Sequence, residues 1–249
     1  MSAPVLWRDL RRFTPARVAL GRVGNGLPTA AHLEFQAAHA AARDAVHAEL
    51  DIPRLQAELV EAGLTAGVVR SACPDRQTYL LRPDLGRRLQ DPDGLAAAPG
   101  SIAILICDGL SATAVQRHAV KVLAALAGRL DRMGPIVLAA QGRVALGDDV
   151  GAAVGAEAVV VLIGERPGLT SPDSLGAYLT WAPRRGRSDA ERNCISNIRP
   201  DGLPPAAAAE KLLWLIGRMR ELRLSGVGLK DEQPALAGGQ DRSISVVST

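Results

Sequence analysis

Two side chains in this sequence have the type and setting for chemistry. Glu165 sits in Gly164-Glu165-Arg166-Pro167-Gly168-Leu169, and Cys194 in Arg192-Asn193-Cys194-Ile195-Ser196-Asn197-Ile198. A carboxylate there acts as an acid or base, or accepts hydrogen bonds from a ligand. Asp173 and Asp189, on the same stretch, are the carboxylates available to pair with it. A thiol becomes a nucleophile only beside a base or cation that activates it. His32, His39, His47 and His118 are all far from Cys194 in sequence. The residues therefore favour a thiol that lines a ligand over one that attacks, and no catalytic residue is assigned.

Metal and phosphate chemistry find less support. His32, His39 and His47 recur at intervals of seven and eight, whereas helical metal sites use closer spacings. Cys73, Cys107 and Cys194 are odd in number and form no CxxC, so neither a disulfide framework nor a structural zinc site is expected. Asp108-Gly109 follows an apolar run and precedes a helical pattern, as a nucleotide-binding turn would. It lacks the remaining glycines of G-x-G-x-x-G, and there is neither a P-loop nor a G-x-S-x-G elbow. Asp108 reads equally well as a turn carboxylate that caps the backbone after it.

The elements that must hold these residues follow from periodicity. Short apolar, β-branched runs at 102–107, 136–140 and 158–163 predict buried strands. Helices are expected from Ser111 to about residue 130 and across 148–154. Strand, helix, strand, helix, strand predicts a right-handed parallel unit, hence an α/β protein with a Rossmann-like parallel sheet core. The turns after Cys107, Ala140 and Ile163 then share one rim, where such sheets bind ligands. Prolines and glycines between 164 and 198 predict a long irregular segment there, with a further strand at 178–181. Pro204 and Pro205 introduce a helix to about residue 223, with Leu212, Leu215, Ile216 and Met219 as its apolar stripe. Trp214 falls on the other side of that helix.

Ahead of this unit the pattern is mainly helical. Thr29 is expected to cap a helix over 30–50, and a second runs from Pro53 to Ala62, ended by Gly63. Strands are expected at 68–71 and 78–82, joined by a turn at Pro74-Asp75. The mixed stretch 83–99 marks a boundary. This divides the chain into an N-terminal helical region, 1–98, a Rossmann-like region, 99–231, and a polar tail, 232–249, expected to be disordered.

Composition sets outer limits. The 249 residues suffice for a substantial core, and with aromatics at 3% that core must be aliphatic. A net charge of +3, almost all of its positive part from Arg, is too mild for a nucleic-acid footprint. No apolar run approaches the ~20 residues of a membrane helix. Arg8, Asp9, Arg11 and Arg12 interrupt any secretory signal, so the cytoplasm is expected. The residues alone leave two readings open: a stand-alone α/β hydrolase or transferase, or a binding module for a nucleotide-like ligand.

Longer blocks sharpen this. The runs 164–169, 171–175 (Ser-Pro-Asp-Ser-Leu) and 192–200, with Leu10-Arg11-Arg12-Phe13-Thr14-Pro15-Ala16-Arg17, Ala42-Arg43-Asp44-Ala45-Val46-His47, Asp108-Gly109-Leu110-Ser111 and Ser225-Gly226-Val227-Gly228, closely resemble the small (light) subunit of ethanolamine ammonia-lyase. The resemblance spans about residues 8 to 231. It implies an adenosylcobalamin-dependent radical enzyme that converts ethanolamine to acetaldehyde and ammonia. It also implies a large subunit, in a higher hetero-oligomer, that supplies most substrate contacts and encloses the cobalamin together with this chain. The family's small-subunit cobalamin positions match Val144, Glu165 and Cys194. The D-x-H-x-x-G motif that gives a histidine to cobalt in other cobalamin folds is missing, which implies that the cofactor keeps its own benzimidazole. Some family members carry a longer leading extension linked to delivery into bacterial microcompartments; here only nine residues precede Leu10.

Overall fold

Two strands, β2 (Ile102–Cys107) and β4 (Ala158–Gly164), are buried at every position, as their unbroken apolar sequences require. The computed structural model describes residues 9–14 and 16–233; Pro15 and nearly all of the polar tail expected from residue 232 lie outside them. The other strands are β1 (Ala66–Arg70), β3 (Met133–Ala140), β5 (Leu175–Trp181) and β6 (Arg192–Ile198). Together they form a six-stranded sheet in the order β1-β3-β2-β4-β5-β6. The first four in that order are mutually parallel, while β5 is antiparallel to both β4 and β6. The architecture is α/β with a mostly parallel sheet.

Among the described residues six α-helices accompany the sheet: α1 (Thr29–His47), α2 (Ile52–Glu61), α3 (Arg76–Leu81), α4 (Ala112–Leu126), α5 (Leu146–Val154) and α6 (Pro205–Leu222). Alternate strand residues face opposite layers. Ile102, Ile104 and Ile106 join α4 and α6 in the larger apolar cluster. Ala103, Leu105 and Cys107 join Leu146, Val150 and Val154 of α5 in the smaller one. Ser111 caps α4, its Oγ accepting from the Ala114 N–H at 3.2 Å. Trp214 is half-buried at the margin of the larger cluster.

The structure corrects four expectations. Residues 78–82 are not a strand. Asp75 accepts from the Thr78 N–H and Oγ at 2.8 and 2.9 Å, which starts helix α3 and draws Tyr79 fully into the core. Pro74-Asp75 is therefore a cap and not a hairpin turn. The stretch 164–198 is less irregular than its prolines suggested, because β5 and β6 together take 14 of its 35 residues. Cys194 consequently lies in a strand. Thr29 is the first residue of α1 and caps nothing, the N-cap position being Pro28. The remaining differences are end shifts: α1 stops at His47, α4 stops at Leu126 and α5 starts at Leu146.

Candidate functional site

The rim between β2 and β3 is where the chain leaves toward α4 on one face and α5 on the other. Doubly wound sheets hold ligands at such a point. Here the crevice is filled by the chain itself. Asp108, buried at the end of β2, accepts from the Gly142 N–H at 3.1 Å and from Arg76 Nη1 at 3.0 Å. Arg76 also donates to the carbonyls of Gly109 (2.9 Å) and Val46 (2.7 Å). Tyr79 donates its hydroxyl to the Gly142 carbonyl at 3.0 Å, and the guanidinium groups of Arg76 and Arg143 lie over its ring. Asp108 thus braces the turn after β3 and does not cap the helix that follows it.

The next rim position is open. Glu165 follows β4 directly. Its place is fixed by a close approach of two glycines: a Cβ on Gly109 would lie 2.2 Å from the Gly164 carbonyl oxygen, and one on Gly164 would lie 2.0 Å from that of Ser111. Gly109 also needs its positive φ of 53°. The Glu165 N–H donates to the Ser174 carbonyl at 2.9 Å. Its carboxylate Oε2 accepts from Ser174 Oγ at 2.5 Å and from the Asn197 N–H at 3.2 Å, while Oε1 accepts from Ser196 Oγ at 2.5 Å. A carboxylate offers about four lone-pair directions. Three are used within the chain, and the remaining one belongs to Oε1.

Cys194 pairs with Tyr178 across the β5–β6 ladder. The thiol is at the surface, yet the crowding of its neighbours desolvates it enough to raise its pKa. A hydrogen bond with Tyr178 works the other way, and the charge of Glu165 adds to the rise. Desolvation and the Cys194 hydrogen bond likewise hold the Tyr178 phenol above its ordinary range. A thiol shifted upward stays protonated near neutrality, the opposite of what a nucleophile needs. The one buried histidine among the described residues, His118, pairs with Asp173 and not with Cys194.

Val144 stands two residues ahead of α5, half-buried against the smaller apolar cluster, where Tyr178 also packs. Tyr178 in turn touches Cys194 and feels the charge of Glu165. The structure therefore brings Glu165 and Cys194 together around Tyr178, whereas Val144 shares only the apolar layer on which Tyr178 packs. The two carboxylates proposed as partners of Glu165 are elsewhere. Asp173 binds Arg117 and His118, and Asp189 is exposed beside Arg192. No carboxylate pairs with Glu165 among the described residues.

On one face of β5 and β6 the helices α4 and α6 pack on them, whereas α5 on the opposite face packs mainly on β2 and β4 and reaches β6 through Asp148 and Arg192. Tyr178, Cys194, Ser196 and Glu165 lie on or beside that second face, and Cys194 and Ser196 are exposed. Tyr178, Ser174, Ser196 and Asn197 are site residues that sequence reasoning did not single out. Their contacts to Glu165 cross as many as 32 residues, and nothing in local spacing signals that. The one available hint was that Ser174 and Ser196 fall inside the long specific blocks.

A protein-family model described as ethanolamine ammonia-lyase light chain matches residues 5–230. The chain belongs to the ethanolamine ammonia-lyase small-subunit family. Similar proteins include the ethanolamine ammonia-lyase small subunit of Azotobacter vinelandii, 56% identical over 91% of this chain and 88% of that one. That of Ralstonia nicotianae is 54% identical over 94% and 92% of the two chains. That of Pseudomonas syringae pv. tomato is 52% identical over 91% and 83%. Val144, Glu165 and Cys194 lie within the matched range.

Proposed function

We propose that this chain is the small subunit of an adenosylcobalamin-dependent ethanolamine ammonia-lyase, and that the face of β5 and β6 opposite α4 and α6 closes against the cobalamin held by a large subunit. The observation that carries the site is Glu165: a carboxylate steadied by three donors of its own chain, with one acceptor direction left open on an exposed face.

The residues present fit a corrinoid. Such a ring is fringed with neutral amides, which need both donors and acceptors. Glu165 Oε1 accepts from an amide N–H. Cys194 lies on the last strand of the sheet, where backbone groups are available to a partner. Val144 offers a small apolar surface and its backbone at the start of α5. When bound, adenosylcobalamin supplies the radical that starts the conversion of ethanolamine to acetaldehyde and ammonia. The role of this chain is to bind and orient the cofactor and to keep water from it.

The N-terminal region is the part proposed to meet the large subunit. Helix α1 buries only Ala31 and Ala45, and Phe13, Val23, Leu27, Leu33 and Phe35 are exposed apolar side chains around it. No helix among the described residues is long and apolar enough to cross a membrane. The proposed location is the bacterial cytoplasm, with a microcompartment as the alternative.

Glu165→Gln tests the site. It keeps the shape of the side chain and removes its charge, so cobalamin affinity of the assembled enzyme should fall by about 1–3 kcal/mol. Lost turnover with unchanged cofactor affinity would assign Glu165 to acid–base chemistry instead.

A further inference from the structure

We propose that Asp173, gripped by Arg117 and His118 of α4, is a positioning residue that sets the direction of the Glu165 carboxylate. The inference rests on the reading of Glu165 as a cofactor-binding group and adds a device that holds it in place.

Glu165 and Ser174 are the two ends of the loop between β4 and β5. They are joined twice, through the Glu165 N–H to the Ser174 carbonyl (2.9 Å) and through the Ser174 hydroxyl to Glu165 Oε2 (2.5 Å). Whatever fixes Ser174 therefore fixes the carboxylate. Extended chain alternates its side chains between faces. Ser174 turns toward Glu165, and its neighbours Asp173 and Leu175 turn toward α4 and the larger core cluster.

On that second side the grip is specific. Asp173 Oδ2 accepts from Arg117 Nη1 at 2.9 Å and lies 3.4 Å from His118 Nε2. Ser111, the cap of α4, donates its hydroxyl to the Pro172 carbonyl at 2.8 Å. One helix thus holds two consecutive residues of the loop immediately before Ser174. His118 is 3% exposed, and its Nδ1 has no hydrogen-bond partner. An aliphatic residue would fill this place in an apolar layer at lower desolvation cost. What the imidazole adds is its Nε2 contact to Asp173. The order of contacts is then α4, Asp173, Ser174, Glu165.

The test uses the complex of this chain with the large subunit, and cyanocobalamin as the probe, followed by absorbance titration. Asp173→Ala should weaken cyanocobalamin binding about three- to tenfold. Asp173→Asn keeps an acceptor for Arg117 and should restore most of that loss. Arg117→Gln changes an exposed side chain that threatens the fold least, and should weaken binding in the same direction. In a Glu165→Gln background, Asp173→Ala and Arg117→Gln should cost nothing further, since both act through that carboxylate. Equal losses in the two backgrounds, or no loss in either, would overturn the clamp while leaving Glu165 as a ligand. Unchanged binding in Glu165→Gln alone would overturn the site assignment, and the clamp with it.

Discussion

Arg192 of β6 holds Asp148 of α5 with both terminal nitrogens, each at 2.7 Å from a different carboxylate oxygen, and both side chains are almost wholly buried. Thr180 Oγ1 at 2.9 Å and the Arg187 carbonyl at 3.0 Å take further guanidinium hydrogens. Two residues beyond Arg192 is Cys194, and four residues before Asp148 is Val144. The pair therefore ties the helix that follows Val144 to the strand that carries Cys194.

Removing one partner leaves the other buried and uncompensated. Asp148→Asn should lower the stability of the chain by about 3–5 kcal/mol, read from urea unfolding. Replacing both residues with Leu should recover much of that loss, because an apolar pair has no charge to desolvate. A loss below about 1 kcal/mol in Asp148→Asn would place the pair among ordinary surface changes.

Cys194 separates a lining thiol from a nucleophile. Its pKa is raised, first by desolvation, and no base is hydrogen-bonded to it. Cys194→Ala should keep most turnover in the assembled enzyme. Cys194→Leu should impair cobalamin binding, because only the larger side chain intrudes on the exposed face. Near-total loss of turnover in Ala with tight cofactor binding would contradict the lining role.

The parallel core was legible because its signal is local. Val159-Val160-Val161-Leu162-Ile163 and Ile102-Ala103-Ile104-Leu105-Ile106 are buried on both faces, and their sequences show it at once. Helix α3 was misread because Thr78-Tyr79-Leu80-Leu81 has strand-like composition, and one capping hydrogen bond at Asp75 decided against it. Strand β6 escaped because Asn193, Cys194, Ser196 and Asn197 are poor strand formers individually. Asn193, Cys194 and Ser196 are held in the edge strand because Ile195 and Ile198 anchor it to the larger cluster, while Asn197 takes a left-handed φ of 58°. Glu165 was visible as the first polar residue after a buried strand. Its three donors were not, since hydrogen bonds across 9 to 32 residues leave no periodic trace.

His118 makes the fold sensitive to acid. Desolvation lowers its pKa below the ordinary 6.5; Asp173 pulls upward, while Lys121 and Arg117 add to the lowering. The folded chain thus binds fewer protons there than the unfolded one. The stabilising contribution is complete above pH ~6.5 and is lost as pH falls through the lower folded value. Desolvation raises the Asp173 carboxyl, but the hydrogen bonds from Arg117 and His118 outweigh it and leave the pKa below its usual value of 3.8. Burial raises the Asp108 and Asp148 carboxyls above 3.8, so both contribute to the slope between those two values, and the His118 part is read as the difference from a His118 variant. His118→Gln should flatten stability against pH in that window, measured by thermal unfolding at a series of pH values. Identical slopes in the two proteins would show that His118 does not titrate with folding.

As the proposed small subunit of a cobalamin enzyme, this chain should have no lyase activity by itself. The direct measurement is acetaldehyde formed from ethanolamine in the presence of adenosylcobalamin, by this chain alone, by the large subunit alone and by the two together. The account predicts product only from the mixture, with a corrinoid absorbance spectrum retained by the complex after gel filtration. Turnover by this chain alone, or a mixture that neither turns over nor retains corrinoid, would contradict it.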